Sequence, residues 1–436
     1  MNWFLTENRY LRFTSFTVFY VAQGLPIGLI SIAMPAWLAE QGVGVGEIAS
    51  FVAISGLPWA FKLIAGPIMD RYSFLPMGRR RPWIVAAQLG LIAAMLSMVL
   101  VPDPSENVVL LTWAAFIINC FSAVQDVAVD GMAIDVLPAD ERGRANSFMA
   151  FGQVAGYSVS GALSATMLIA VGVTGAVLVL SVGLGLIFIW GVLVRERTGE
   201  KILPWTPGEA SSRSLDLQSS DWMSILKNLN KVLFLKASML LILVTFGWRF
   251  ADGFFQVGAP VIAVQDLGYE STDFSYWFAT LSMIAALLGL FLGPVIDRTG
   301  AKRIFFVALI GLGITYLVTG GSVSLWTMTY FPLAILALVA FFSQAIFISF
   351  IALHMTVCWQ KVSATQFAIY MAWANLARSI GAGVYGEVES ELAMGQEFYI
   401  MGIGTLLAAC VLSMVKIEKH EEQLVSIDQM SLEGGR

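Results

Sequence analysis

Twelve apolar stretches, each long enough to cross a bilayer as a helix, recur along this chain with short polar loops between them. A hydrocarbon core of about 30 Å needs roughly 20 apolar residues in a helix. Windows of that length predict spans at 13–38, 47–70, 83–101, 109–137, 145–171, 174–194, 237–264, 273–296, 303–320, 325–357, 363–387 and 396–415. Several exceed the minimum, which predicts tilt or extension beyond the hydrocarbon. Composition agrees, with 58% hydrophobic and 13% charged residues against about 25% charged in soluble domains. A soluble globule of this make-up would expose apolar patches beyond what monomers tolerate.

Basic residues then fix an expected orientation, because Lys and Arg gather on the cytoplasmic side. Arg9 and Arg12 precede the first span; Arg71, Arg79, Arg80 and Arg81 follow the second; Arg142 and Arg144 follow the fourth. Arg195, Arg197, Lys201, Arg213, Lys227, Lys231 and Lys236 follow the sixth. Arg298, Lys302 and Arg303 follow the eighth, Lys361 the tenth, and Lys416, Lys419 and Arg436 the twelfth. The intervening loops carry none, and Lys62, Arg249 and Arg378 remain inside spans. The pattern predicts a multi-pass membrane protein with both termini cytoplasmic. The first stretch lacks the basic lead and small-residue cleavage site of a signal peptide, so it is expected to persist as a helix.

The expected organisation is an N-terminal bundle over 1–194, a cytoplasmic linker over 195–236, a C-terminal bundle over 237–415 and a cytoplasmic tail over 416–436. Pro204, Pro207 and a Ser-rich run mark the linker. Its second part is amphipathic: Met223, Ile225, Leu226, Leu229 and Leu233 share a helix face, with Ser220 or Asp221 as N-cap. It is expected to lie on the membrane surface.

Several chemistries find no footing here. The net charge of −5 is small and says nothing about nucleic acid, but no basic cluster is interleaved with aromatics as single-strand binders require, so no nucleic-acid partner is expected. Cys120, Cys358 and Cys410 sit in apolar segments and suit neither disulfides nor a metal. His354 and His420 are too few for a histidine metal centre, and His354 is expected at the membrane interface. No His-Glu-x-x-His or Gly-x-Ser-x-Gly string occurs. Gly381-Ala382-Gly383-Val384-Tyr385-Gly386 matches a dinucleotide pattern but follows no strand. No cofactor, metal or catalytic residue is expected, and an enzyme or a sensor is the disfavoured class.

The two halves repeat one another. Gly66-Pro67-Ile68-Met69-Asp70-Arg71 ends the second span and Gly293-Pro294-Val295-Ile296-Asp297-Arg298 the eighth, each followed by Gly and basic residues. Ala145-Asn146-Ser147-Phe148 and Ala364-Thr365-Gln366-Phe367 open the fifth and eleventh spans alike. Such repeats build transporters with a site between the halves. The Gly-x-x-x-Asp-Arg…Gly-Arg-Arg-Arg string resembles the loop 2–3 signature of the major facilitator superfamily. That resemblance implies an all-α membrane fold of twelve helices in two six-helix pseudo-symmetric bundles. It also implies a cytoplasmic gate of Asp70, Arg71, Arg79, Arg80, Arg81, Asp135, Asp297 and Arg298.

A finer match is carried by Gly24-Leu25-Pro26, by Phe61-Lys62 with Pro67-x-x-Asp70-Arg71, and by Gly78-Arg79-Arg80-Arg81-x-Trp83. It continues in Ser122-Ala123-x-Gln125-Asp126-x-x-x-Asp130-x-x-x-x-Asp135-Val136-Leu137-Pro138 with Glu141-Arg142-Gly143, and in Ser363-Ala364-Thr365-Gln366-Phe367-Ala368. These resemble the peptide–acetyl-coenzyme A–drug transporter family, which includes AmpG-like muropeptide permeases.

Charges inside spans narrow the site. An ionised side chain at mid-membrane costs roughly 2.5–3.5 kcal/mol even on the mild insertion scale, so it needs a partner or a wet cavity. Lys62 and Asp126 lie at similar depth and are expected to pair; Asp126 and Asp130, four apart, share a helix face. Two close carboxylates raise one pKa, as a proton carrier requires, so Asp126, Asp130 and Lys62 are the proton-coupling candidates. Arg249 and Asp252 are three apart in the seventh span, and Arg378 and Asn375 sit in the eleventh. With Gln23, Asn119, Gln125 and Gln344, they are the expected substrate contacts. Gly152-x-x-x-Gly156-x-x-x-Ser160 reads as helix packing.

The expected function is a monomeric, proton-coupled importer of an amphipathic anionic small molecule across a lipid bilayer. By resemblance the cargo is muropeptides, with siderophore, acetyl-coenzyme A or drug-like cargo as the alternative.

Overall fold

The structure is a computed structural model. It describes residues 3–43, 45–218, 221–263, 267–269, 271–328, 330–388 and 391–433. Among them, ten helical segments are long and apolar enough to cross a membrane.

The principal helices are α1 (Arg9–Ile27), α2 (Ala65–Arg71), α3 (Arg81–Ser97), α4 (Val108–Val136), α5 (Arg142–Leu193) and α6 (Trp222–Leu233). They continue as α7 (Lys236–Val261), α8 (Ser271–Thr299), α9 (Ala301–Gly321), α10 (Tyr330–Val357), α11 (Ser363–Val388), α12 (Gln396–Ser413) and α13 (Ile417–Glu433). The 52 residues of α5 would run to about 78 Å at 1.5 Å each, more than twice a hydrocarbon core. Gly172, at φ 70° and ψ −173°, breaks it into two lengths of helix. That break falls where the fifth and sixth expected spans meet.

The chain divides into two compact units. Unit 1 holds Met1–Pro138, Phe148–Leu226 and Gln360–Ala368; unit 2 holds Ala139–Ser147, Lys227–Trp359 and Ile369–Arg436. A short segment from each half of the sequence thus packs in the unit built mainly from the other half.

In unit 1, Asn8 caps α1, its side chain accepting from the amides of Tyr10 (3.0 Å) and Leu11 (3.2 Å). The helix then meets α5 backbone to backbone. A Cβ added to Gly24 would stand 2.6 Å from the amide nitrogen of Tyr157, and one on Gly156 would stand 2.7 Å from the carbonyl of Val21. The small-residue string of the sequence is therefore this contact. Gly24→Leu is expected to force α1 and α5 apart and cost about 1–3 kcal/mol or more, read as a lowered Tm of the purified protein. Gly183→Ala, whose Cβ would meet ordinary contact with Leu25 at 3.5 Å, should leave Tm unchanged.

The second expected span is not one α-helix. It runs as Val45–Gly56, Pro58–Phe61, a 3₁₀ turn over Lys62–Ile64, and α2. Pro58 lacks the N–H that an unbroken helix would use. Lys62 opens the 3₁₀ turn and is buried.

The structure gives detail at three of the expected features. The linker helix exists as α6, with Asp221 accepting from the Ser224 amide at 2.7 Å; Ser220 lies outside the described residues. Its apolar face is split, however. Ile225 and Val232, seven apart and hence two turns along one stripe, are buried, whereas Met223 and Leu226 are exposed. Within the expected tail, α13 forms part of unit 2, and His420 is buried, its Nε2 donating to the Val357 carbonyl at 3.0 Å. His354 lies in the last turn of α10. It is fully buried beside Phe350 and Tyr370, with Nδ1 donating to the Phe350 carbonyl at 2.8 Å.

Candidate functional site

In unit 1 a polar stripe runs down α4. Lys62 Nζ meets Asp126 Oδ2 at 2.8 Å, with side chains 8% and 7% exposed. One turn on, the Tyr20 hydroxyl donates to Asp130 Oδ1 at 2.5 Å. The two carboxylates are therefore held differently, one by a cation and the other by a neutral hydroxyl. Gln125 donates from Nε2 to the Phe19 carbonyl at 3.0 Å, and its Oε1 is buried without a partner. Asn119 accepts from Trp59 Nε1 at 3.0 Å and donates to the Ser55 carbonyl at 2.8 Å. Gln23 accepts from Gln153 at 3.3 Å. Tyr20 was not among the sequence candidates. Its signal was weak: it stands three residues before Gln23, on the same face of α1.

In unit 2, Arg249 Nη1 bonds Asp252 Oδ2 at 3.0 Å, and its guanidinium stacks 4.4 Å from the Trp248 ring. Helix α11 packs on α7 so closely that a Cβ on Gly253 would strike the Arg378 carbonyl. Arg378 is thereby brought beside the Arg249–Asp252 turn, and no carboxylate pairs with it among the described residues. Asn375 lies one turn before Arg378 and is half-buried. The Nε of Arg249, Nε1 of Trp248 and Nε2 of Gln344 are buried donors without partners. Such donors are costly unless water or a solute completes them.

At the basic end of unit 1 the Gly-Arg-Arg-Arg string builds an ionic cage. Asp70 Oδ1 accepts from Arg79 Nη2 (3.1 Å) and Arg80 Nη2 (2.5 Å). Its Oδ2 accepts from the Thr365 amide (2.9 Å) and hydroxyl (2.7 Å). Asp135 binds Arg79 Nη1 (3.0 Å), Arg80 Nε (3.2 Å) and the Ser363 hydroxyl (3.0 Å). Arg79 also donates to the carbonyls of Gln360 (2.7 Å) and Lys361 (3.0 Å). Close approach makes this possible, since a Cβ on Gly66 would lie 2.8 Å from the Thr365 Cα.

The expected gate set is not one cluster. Arg81 points away from the carboxylates and spends its guanidinium on carbonyls, among them Lys201 and Ile202 at 2.7 Å each. Arg71 stacks on Tyr72 at 5.0 Å, and Arg298 is exposed. Asp297 belongs to unit 2, where it repeats the role of Asp70 with fewer cations. It accepts from the amides of Gly143 (2.6 Å) and Arg144 (3.3 Å) and from Arg144 Nε (2.5 Å). Gly293, its helix partner, sits where a Cβ would be 2.7 Å from the Arg144 Cα.

The sequence reading missed the residue that organises the arginines. Glu196 accepts the three successive amides of Arg79 (3.0 Å), Arg80 (2.6 Å) and Arg81 (2.7 Å). A carboxylate at that helix start is what the macrodipole favours. Beside it, burial and then the neighbouring Glu196 push the Glu200 carboxyl from 4.5 up to about 8. A folded-state pKa raised above the unfolded one means stability is greatest below about pH 4.5 and lost as pH rises through about 8. Glu200→Gln keeps an acceptor for the Arg197 amide (2.9 Å). It should raise Tm at pH 9, leave it near the parent's at pH 5, and so flatten the pH profile.

Among the described residues no group of three His, Cys, Asp or Glu side chains suits a metal ion.

The family model of the Major Facilitator Superfamily matches residues 16–382. The chain is 26% identical over 402 residues to the anhydromuropeptide permease of Escherichia coli (strain K12), covering 90% of this chain and 77% of that protein. It is 23% identical over 373 residues to the putative transporter AmpG 4 of Rickettsia conorii, covering 82% and 85%. The fold is similar to the human organic anion transporter MFSD10, at TM-score 0.69 and 16% identity over 92% of this chain and 98% of that one. It is also similar to the proton:xylose symporter XylE, at TM-score 0.67 and 14% identity over 94% and 97%.

Proposed function

This chain belongs to the Major Facilitator Superfamily, and from that premise we propose that it is a proton-coupled importer of anhydro-muropeptides. Twelve spans in two six-helix bundles follow if the Gly172 break separates two crossings and α11 is a further one, less apolar because it carries Asn375 and Arg378. The basic ends then face the cytoplasm of a bacterium, with both termini there. The bundles cover 1–194 and 237–415, joined by the 195–236 linker.

One observation carries the coupling: two buried carboxylates one turn apart on α4, Asp126 held by Lys62 and Asp130 by the Tyr20 hydroxyl. Protonating Asp126 releases Lys62, and deprotonating it restores the pair. That gives a two-state element whose balance follows proton supply. The Arg249–Asp252 turn, with Arg378 beside it, offers guanidinium groups to a carboxylate-bearing solute. The cargo is assigned on the likeness to a protein named anhydromuropeptide permease across most of this chain. The cage of Asp70, Arg79, Arg80 and Asp135 is the cytoplasmic gate.

Uptake of a radiolabelled anhydro-muropeptide into vesicles containing the purified chain, with and without an imposed pH gradient, tests both parts. Gradient-driven accumulation is expected. No uptake removes the cargo, and uptake indifferent to the gradient removes the coupling.

A further inference from the structure

Unit 2 contains a cavity that the transport reading does not use. It measures about 770 Å³ and lies among the basic ends of α5, α8, α9 and α10, with the turn that leads into α13. Arg142, Lys302, Lys416 and Lys419 line it, against the carboxylates of Asp297 and Glu418. Those charges are not equally free. Asp297 is already saturated by Arg144 and two backbone amides. Lys302 is held by the carbonyls of Ser413 (3.3 Å) and Val415 (2.6 Å), which are neutral and leave its charge uncancelled. Arg142 donates one N–H to Thr356 at 3.1 Å, and its Nε is buried with no partner. Lys416 and Lys419 are exposed. Glu418 lines the same volume and Glu421 acts on Arg142, so four cations face two carboxylates besides the saturated Asp297, which leaves a net positive charge toward the cavity.

The backbone adds to this field. Gly300 and Ala301 line the cavity where the 21-residue α9 begins, and no side chain caps that start. Ile417 and Glu418 line it where the 17-residue α13 begins. The first amides of a helix lack intrahelical acceptors, and the dipole there favours an anion.

We propose that this cavity binds a phosphate-bearing anion, whose oxygens engage Arg142, Lys302, Lys416 and Lys419 and the first turns of α9 and α13. The volume admits a phosphate together with its substituent, so both a phospholipid headgroup and a soluble phosphate present the right chemistry. Occupancy would tie the C-terminal helix to the start of α9. The proposal goes beyond the transport function and does not depend on it.

Thermal unfolding of the full chain, delipidated in a neutral detergent, provides the test. One arm titrates sodium phosphate against chloride at equal ionic strength; the other titrates dioctanoyl-phosphatidylglycerol against dioctanoyl-phosphatidylcholine. A saturable rise in Tm is expected in at least one arm. A phosphate response identifies a soluble anion as sufficient, and a response to phosphatidylglycerol alone identifies the headgroup. Lys416→Gln and Lys419→Gln, at exposed positions, should each weaken the apparent affinity about fivefold and together about thirtyfold, the worth of surface lysines toward a phosphate headgroup. Lys227→Gln with Lys231→Gln on α6 should change nothing. A flat response in both arms overturns the proposal. So does parental affinity in the Lys416/Lys419 double variant, or an equal loss in the α6 control.

Discussion

Asp126→Asn is expected to fold, reach the membrane and fail to accumulate substrate. Asparagine keeps an oxygen for Lys62, which sits 2.8 Å from the carboxylate, but it cannot take up and give back a proton. With one proton per solute, a gradient of about one pH unit sustains about tenfold accumulation. The Asn variant should equilibrate substrate at a ratio of about one, measured in vesicles, while exchange of labelled for unlabelled substrate persists. Lys62 gives the complementary result. Breaking a buried pair by removing one partner costs about 3–5 kcal/mol, because a lone charge remains. Lys62→Ala should therefore destabilise more than the Lys62→Ala/Asp126→Ala double variant. Concentrative uptake by Asp126→Asn, or a double-mutant cycle without coupling, would place the proton carrier elsewhere.

That pair was legible in the sequence because the bilayer penalty is large enough to demand a partner. Lys62, Arg249 and Arg378 were the basic residues left inside spans, and two of the three are found bonded to carboxylates. The repeat was legible for a similar reason. Gly66 and Gly293 sit four residues before Asp70 and Asp297, and both aspartates reach the backbone at the start of another helix, α11 in one unit and α5 in the other. What stayed hidden depends on distant packing. Glu196 reads as one more charge in a basic loop, yet it organises three amides across a sequence gap of more than a hundred residues. Tyr20 lies in an aromatic run where nothing local separates a core ring from a hydrogen-bond donor. The tail reads as an ordinary polar end, and the burial of His420 and Ile427 fixes α13 in place.

Asp70→Ala should be severely damaging, and Asp297→Ala should be mild, although the sequence writes the two positions alike. The difference lies in what each carboxylate neutralises. Around Asp70 two guanidiniums and two carboxylates are all 0% exposed. Removing one carboxylate leaves a net buried positive charge and frees the amide and hydroxyl of Thr365. The expected cost is about 3–5 kcal/mol. Asp297 faces one cation, Arg144, which is 25% exposed and can turn to solvent. Its loss should cost about 1–2 kcal/mol, mostly in unmade hydrogen bonds to Gly143 and Arg144. Tm of the purified variants measures the difference. A second readout separates gating from simple destabilisation: thiol labelling of Thr365→Cys should be slow when Asp70 is present and fast in the Asp70→Ala background at a temperature where both remain folded. Asp70→Glu, which keeps the charge, should restore part of the Tm and of the protection. Equal costs at positions 70 and 297 would mean that the helix contacts, not the ionic cage, hold this end of unit 1 together.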